Sequence, residues 1–330
     1  MNATNATFDN VEALIALSNE LNSDACWITI AASIALMGIL GILIRIETRD
    51  NAHPSHVFSP VNIMLLFMII SNCGCVVFFY FVPLATDFLL SLALFTASNL
   101  SLSTFEWLVM LYSWNRGKPV ISLVFPASCF LIRVVLVMFP LIQFVTEVGY
   151  AIVSVTDPDN PLLAMWTKVA GVLAILCSSI LILFDSFILV VYQLYLHQIK
   201  SEVGIQKDQR LQIISQYGVV SLIWTLLYET VTEIYNWATW DSTNYNAYIG
   251  VTTLDSLMPL MFICIQLSMK RALYCQKQND RNKKLTLVEA AKKVSLNGSK
   301  QGNTDRGDSI LKPLSSIRET STSGGNNSRI

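Results

Sequence analysis

The chain has 330 residues, of which 53% are hydrophobic and only 14% charged, with a formal net charge of −1. Soluble domains carry about 25% charged residues, so this balance excludes an ordinary water-soluble globule and points to lipid as the solvent. The charges are also segregated along the chain, and no nucleic-acid partner is expected.

Residues 1–25 are polar and acidic with no basic opening, so no cleavable signal peptide is expected and the first apolar run acts as its own insertion signal. Asn2 and Asn5 each open an Asn-Ala-Thr sequon, which makes both candidate glycosylation sites. Seven apolar runs follow, at 26–45, 59–82, 88–112, 119–143, 163–195, 211–236 and 246–268. A run of about 20 such residues spans a bilayer core. Prolines inside them, Pro126 and Pro140 in the fourth and Pro259 in the seventh, are tolerated where neighbouring groups re-satisfy the freed carbonyls.

The connections alternate in charge. Arg45 and Arg49 flank the first, Arg116 and Lys118 the third, and Lys200, Lys207 and Arg210 the fifth, while Lys270, Arg271, Lys277, Arg281, Lys283 and Lys284 follow the last run. Residues 1–25, 83–87, 144–162 and 237–245 hold no Lys or Arg. The positive-inside rule then predicts an all-α bundle of seven transmembrane helices with the N-terminus outside and the C-terminus cytosolic. The organisation is an outer segment over 1–25, a helical domain over 26–272 and a disordered cytosolic tail over 273–330, with a short helix near Leu285–Val294. The seven cysteines lie mostly inside apolar runs, where a thiol acts as a small hydrophobe, and no disulfide framework is expected.

Ionisable residues inside a span are costly and mark candidate sites. Arg133, counted from an inner end at residue 119, lies deep in the fourth run and overlaps the depth of Asp185 in the fifth. Asp185 is its first expected partner and Glu106 its second; the pair is either a structural fixture or a switch. Glu229 and Glu233, one turn apart, sit toward the outer rim with Tyr228, Tyr235, Trp237, Trp240, Tyr245 and Tyr248, and Asp255, about nine residues below the outer end of the seventh run, is expected to face the same cavity. Acids framed by aromatic rings suit a cationic extracellular ligand, although an interfacial aromatic belt has the same composition. No His-Glu-x-x-His pair, Gly-x-Ser-x-Gly elbow or glycine-rich phosphate loop occurs, so neither an enzyme activity nor a metal or cofactor is expected.

Seven runs, outer sequons, short loops and a Ser/Thr-rich tail resemble the G-protein-coupled receptor superfamily. Pro259-Leu260-Met261-Phe262 resembles the second half of the rhodopsin-like Asn-Pro-x-x-Tyr element, with Met258 in place of Asn. Arg116 stands loosely where that family's Asp-Arg-Tyr arginine falls, flanked by Asn115 and Gly117. The resemblance is to a divergent branch. It implies a plasma-membrane receptor that passes a signal to heterotrimeric G proteins. It also implies a cytosolic coupling face at Arg116, Lys118, Lys200, Lys207 and Arg210, and palmitoylation of Cys275. Phosphorylation of Ser295, Ser315, Ser316, Thr320, Ser321, Thr322 and Ser323 would recruit an arrestin-like partner. A transporter or channel using the buried charges, or a non-signalling membrane scaffold, are the competing readings.

Overall fold

The computed structural model describes residues 2–50, 59–156, 161–203, 209–239 and 245–300, and every long element among them is a helix. These are α1 (Asn2–Asp50), α2 (Pro60–Phe81), α3 (Phe88–Val124), α4 (Ser128–Thr156), α5 (Pro161–Val203), α6 (Gln209–Thr239) and α7 (Tyr245–Lys300). Six stretches among the described residues are long and apolar enough to cross a membrane: Ser23–Arg49, Pro60–Leu84, Phe88–Val124, Ser128–Thr156, Met165–Gln198 and Gln209–Tyr228. The chain is therefore a multi-pass helical membrane protein. Two compact units are formed, Met1–Gln278 and Asn279–Ile330.

Proline and hydroxyl residues set several boundaries. Ser59 caps α2, accepting a hydrogen bond from the Asn62 amide (3.3 Å), and Pro60 follows at the position where a missing N–H costs nothing. Pro161 likewise opens α5. Pro126 pushes the residue before it out of the α region, so α3 stops at Phe125 (φ −136°, ψ 70°). This moves the third turn to 125–127, well beyond the expected one near 113–118. Hydropathy does not register that turn, because residues 119–127 read as one apolar stretch.

α3 is the central helix of the first unit and packs against α2, α4 and α5. It buries residues on every side, among them Phe105, Val109, Met110, Tyr112, Ser113, Gly117 and Ile121, which is why its sequence shows no single apolar stripe. α4 does the reverse. It buries Ile132, Leu136 and Phe139 and exposes Phe130, Leu131, Val134, Val137, Leu141 and Val145, an outward apolar face suited to lipid.

Polar side chains lock α3 to α4 in antiparallel register. Trp107 Nε1–H donates to the Leu136 carbonyl (2.9 Å), Gln143 Nε2 to Glu106 Oε2 (2.6 Å) and Asn99 Nδ2 to Glu147 Oε2 (2.8 Å). α5 closes on α4 through Trp166, whose Nε1–H donates to the Thr146 carbonyl (3.2 Å).

The expectation of disorder from 273 onward is corrected over 273–300, which continue α7. Nucleating a helix is the costly step, and here a formed helix simply propagates through Lys-, Ala- and Leu-rich sequence. In the second unit this helix leaves Leu285, Leu287 and Val288 exposed.

Candidate functional site

Two turns from the C-terminal end of α3, a polar cluster joins four helices. Ser113, Arg116 and Gly117 share one face of α3 by their spacing of three and four. Opposite them on α5 stand Asp185, Ile188 and Tyr192. Asp185 shares a side-chain hydrogen bond with Ser113 and lies within electrostatic reach of the Arg116 guanidinium. The Tyr192 hydroxyl donates to the Arg116 carbonyl (2.6 Å). Gly117 lets the helices approach: a Cβ there would meet Ile188 Cγ2 at 3.2 Å and Ile121 Cδ1 at 3.1 Å.

The guanidinium extends from α3 toward α6 and α7. Arg116 Nη1 reaches Gln266 Oε1 (3.5 Å) and Met269 Sδ (3.1 Å), and its Cζ sits 5.8 Å from the Tyr112 ring centroid. Gln266, only 1% exposed, donates from Nε2 to Ser221 Oγ on α6 (3.0 Å). The half-buried Arg116 guanidinium therefore holds a long contact to the Gln266 amide and one to the Met269 thioether, shares a side-chain hydrogen bond with Tyr192 and feels the charge of Asp185. Arg116 Nε has no hydrogen-bond partner among the described residues. A packing that offers this one donor an acceptor is favoured.

About three turns along α3 from Arg116, toward the cation-poor end, lies a small apolar cavity of about 30 Å³. Glu106, Trp224, Thr225, Tyr228, Met258 and Phe262 line it. Trp224 is pinned by its Nε1–H to the Met258 carbonyl (3.1 Å), one residue before Pro259. In this conformation the volume suits about two water molecules; ligand pockets span about 300–1,000 Å³.

The expected Arg133–Asp185 pair does not form. Arg133 is exposed on the outer face of α4, and Asp185 faces α3. Because α4 begins at Ser128, Arg133 lies five residues inside it, about 7.5 Å by helical rise. A long side chain reaches the interface from that depth by snorkelling. Glu106, its second expected partner, instead accepts from Gln143. The residue of this group that sequence reasoning misplaced is Arg116, expected in a loop and found inside the bundle. Its companion Gln266 was missed, as was the role of Tyr192; a buried amide in an apolar run was the one available signal.

Of the expected coupling face, Lys118 and Arg210 are exposed, and the Lys200 and Lys207 side chains lie outside the described residues. So do the side chains of Glu229, Glu233, Asp255, Asn2, Asn5 and Ser295, together with Ser315, Ser316, Thr320, Ser321, Thr322 and Ser323. Cys275 is exposed.

No protein-family model matches the chain, and no curated protein matches it.

Proposed function

We propose that the chain is a seven-helix plasma-membrane signal transducer, resembling G-protein-coupled receptors, with an outer N-terminus and a cytosolic C-terminus. The first part of α7 supplies the seventh crossing. The observation that carries this reading is Arg116, whose Nε lacks a partner among the described residues, at the junction of α3, α5, α6 and α7, beneath a cavity lined by Glu106. A small cationic ligand entering from outside pairs with Glu106 and displaces Trp224. Because Trp224 is bonded to Met258, the movement passes into α7 beside Pro259, and from there to Gln266 and Met269, which hold Arg116. The ligand acts by preferring one of two packings, and the shift can be no larger than its differential affinity for them. Release of Arg116 opens the cation-rich ends of α3, α5 and α6 to a heterotrimeric G protein.

Sugars at Asn2 and Asn5, an acyl chain on the exposed Cys275, and phosphorylation of the tail with arrestin-like recruitment complete the proposed scheme. The test is nucleotide exchange on purified G proteins by the protein in lipid nanodiscs. Gln266→Leu, which loosens Arg116, raises basal exchange under this reading. Substrate flux in proteoliposomes that Asp185→Asn abolishes, with no exchange on any G protein, overturns it in favour of a carrier.

A further inference from the structure

A second cavity, of about 360 Å³, opens at the cation-rich end of the bundle between α1, α2, α6 and α7. Among the described residues its charged lining is Arg210, Lys270 and Lys277 together with the carboxylate of Glu47. Lys270 is the fixed member. Its Nζ lies 3.4 Å from Glu47 Oε2 and also donates to Asn62 Oδ1, which is buried. Burial pushes the Lys270 ammonium below its ordinary range, with Glu47 opposing that shift. A half-buried cation of this kind gains from a second anion.

Two helix N-termini also meet this cavity. Ser59, Val61 and Asn62 belong to the cap and first turn of α2, and Arg210 is the second residue of α6. The partial positive charge of both helix ends favours a bound anion. The wall above is apolar (Leu43, Val61, Ile214 and Leu273) and continues into the membrane-spanning part of α1, where Ile42 and Ile46 are exposed.

We propose that this cleft binds the phosphorylated headgroup of an anionic phospholipid, with Arg210, Lys270 and Lys277 on the phosphates and the acyl chains running along α1. Basic pockets between spanning helices on the cytosolic side are suited to such headgroups. The volume fits a headgroup, whereas a protein partner needs about 800 Å² of surface on each side. The site does not depend on the signalling role and stands or falls separately from it.

The test uses the full chain in detergent, with native mass spectrometry and thermal unfolding read against three probes: short-chain phosphatidylinositol bisphosphate, short-chain phosphatidylcholine, and soluble inositol trisphosphate. The phosphorylated lipid is expected to bind one-to-one and stabilise the protein, the soluble headgroup to bind more weakly, and phosphatidylcholine not to compete. Arg210→Gln and Lys277→Gln each lower the affinity about tenfold, the worth of one charge-assisted contact. Lys292→Gln with Lys293→Gln removes two cations outside the cleft and leaves binding unchanged. Equal losses from both sets of variants overturn the site as a built one and reduce it to general polybasic attraction. Equal affinity for the soluble headgroup overturns the lipid as its source. Lipid affinity unchanged in both Arg210→Gln and Lys277→Gln overturns the cleft as the binding site.

Discussion

Replacing Gly149 by alanine tests the rotational phase of α4, on which the placement of Arg133 and the α3–α4 ladder both rest. A Cβ at position 149 would stand 2.3 Å from Trp166 Cζ2 and 2.9 Å from Cε2. Carbon atoms in contact prefer about 3.5–4.0 Å. The indole is not free to move away, because its Nε1–H is committed to the Thr146 carbonyl, three residues earlier on the same helix face. Overpacking of this kind costs about 1–3 kcal/mol, and loss of the indole bond adds about 1 kcal/mol. The better helix propensity of alanine returns about 1 kcal/mol. The net loss is then about 1–3 kcal/mol, read as a lower midpoint in thermal unfolding in a fixed detergent, followed with a thiol-reactive dye. Gly171→Ala is the internal control: nothing lies within 4 Å of a Cβ there, so it leaves stability unchanged or raises it by up to about 1 kcal/mol. Adding Trp166→Leu to Gly149→Ala recovers part of the loss. A Gly149→Ala protein as stable as its parent would refute the reasoning. It would rotate α4 away from Trp166 and bring Arg133, nearly half a turn round from Gly149 at about 3.6 residues per turn, back toward the core.

Three further substitutions follow from the same geometry. Arg133→Leu is expected to change stability by no more than about 0.5 kcal/mol, as for a surface position; a severe folding defect in the same assay would restore a buried partner. Gln266→Leu takes the amide from Ser221 Oγ, leaves Arg116 Nη1 with the Met269 thioether, and costs about 1–3 kcal/mol. Combined with Ser221→Ala it costs less than the two losses added, which a double-mutant cycle measures. Glu47→Gln leaves the Lys270 ammonium half-buried without its carboxylate. The folded-state pKa of Lys270 is already lowered by burial, so above it the unfolded chain holds the extra proton and stability rises with pH. The Glu47→Gln deficit is therefore largest at neutral pH and narrows as the pH climbs toward the ordinary lysine range; a deficit that widens there contradicts the pairing.

The helical membrane architecture was legible from composition and run length alone, because hydrocarbon leaves a spanning backbone few alternatives to the helix. Helix ends were less so. Pro119 and Pro126 stand seven residues apart in one apolar stretch, and only the second ends α3; Pro119 lies inside the helix. Depth counted from the wrong end then placed Arg133 too far into the membrane and paired it with Asp185. Depth also says nothing about rotation, and Arg133 falls in the same outward stripe as Phe130, Val134 and Val137. The acids Asp185 and Glu106 were picked out by their burial in lipid-length runs. Their partners were not, since Ser113, Gln143 and Gln266 are neutral residues whose importance comes from which helix faces them.

Under the proposed function Arg116 changes partners between two packings of the bundle. Double electron–electron resonance between spin labels at the cation-rich ends of α3 and α6, in an otherwise cysteine-free background, tests this most directly. Gln266→Leu is expected to move the distance distribution toward a longer, minor population already present in the parent protein, with G-protein exchange rising in step. An unchanged single distance in both proteins, with exchange absent in both, would contradict it.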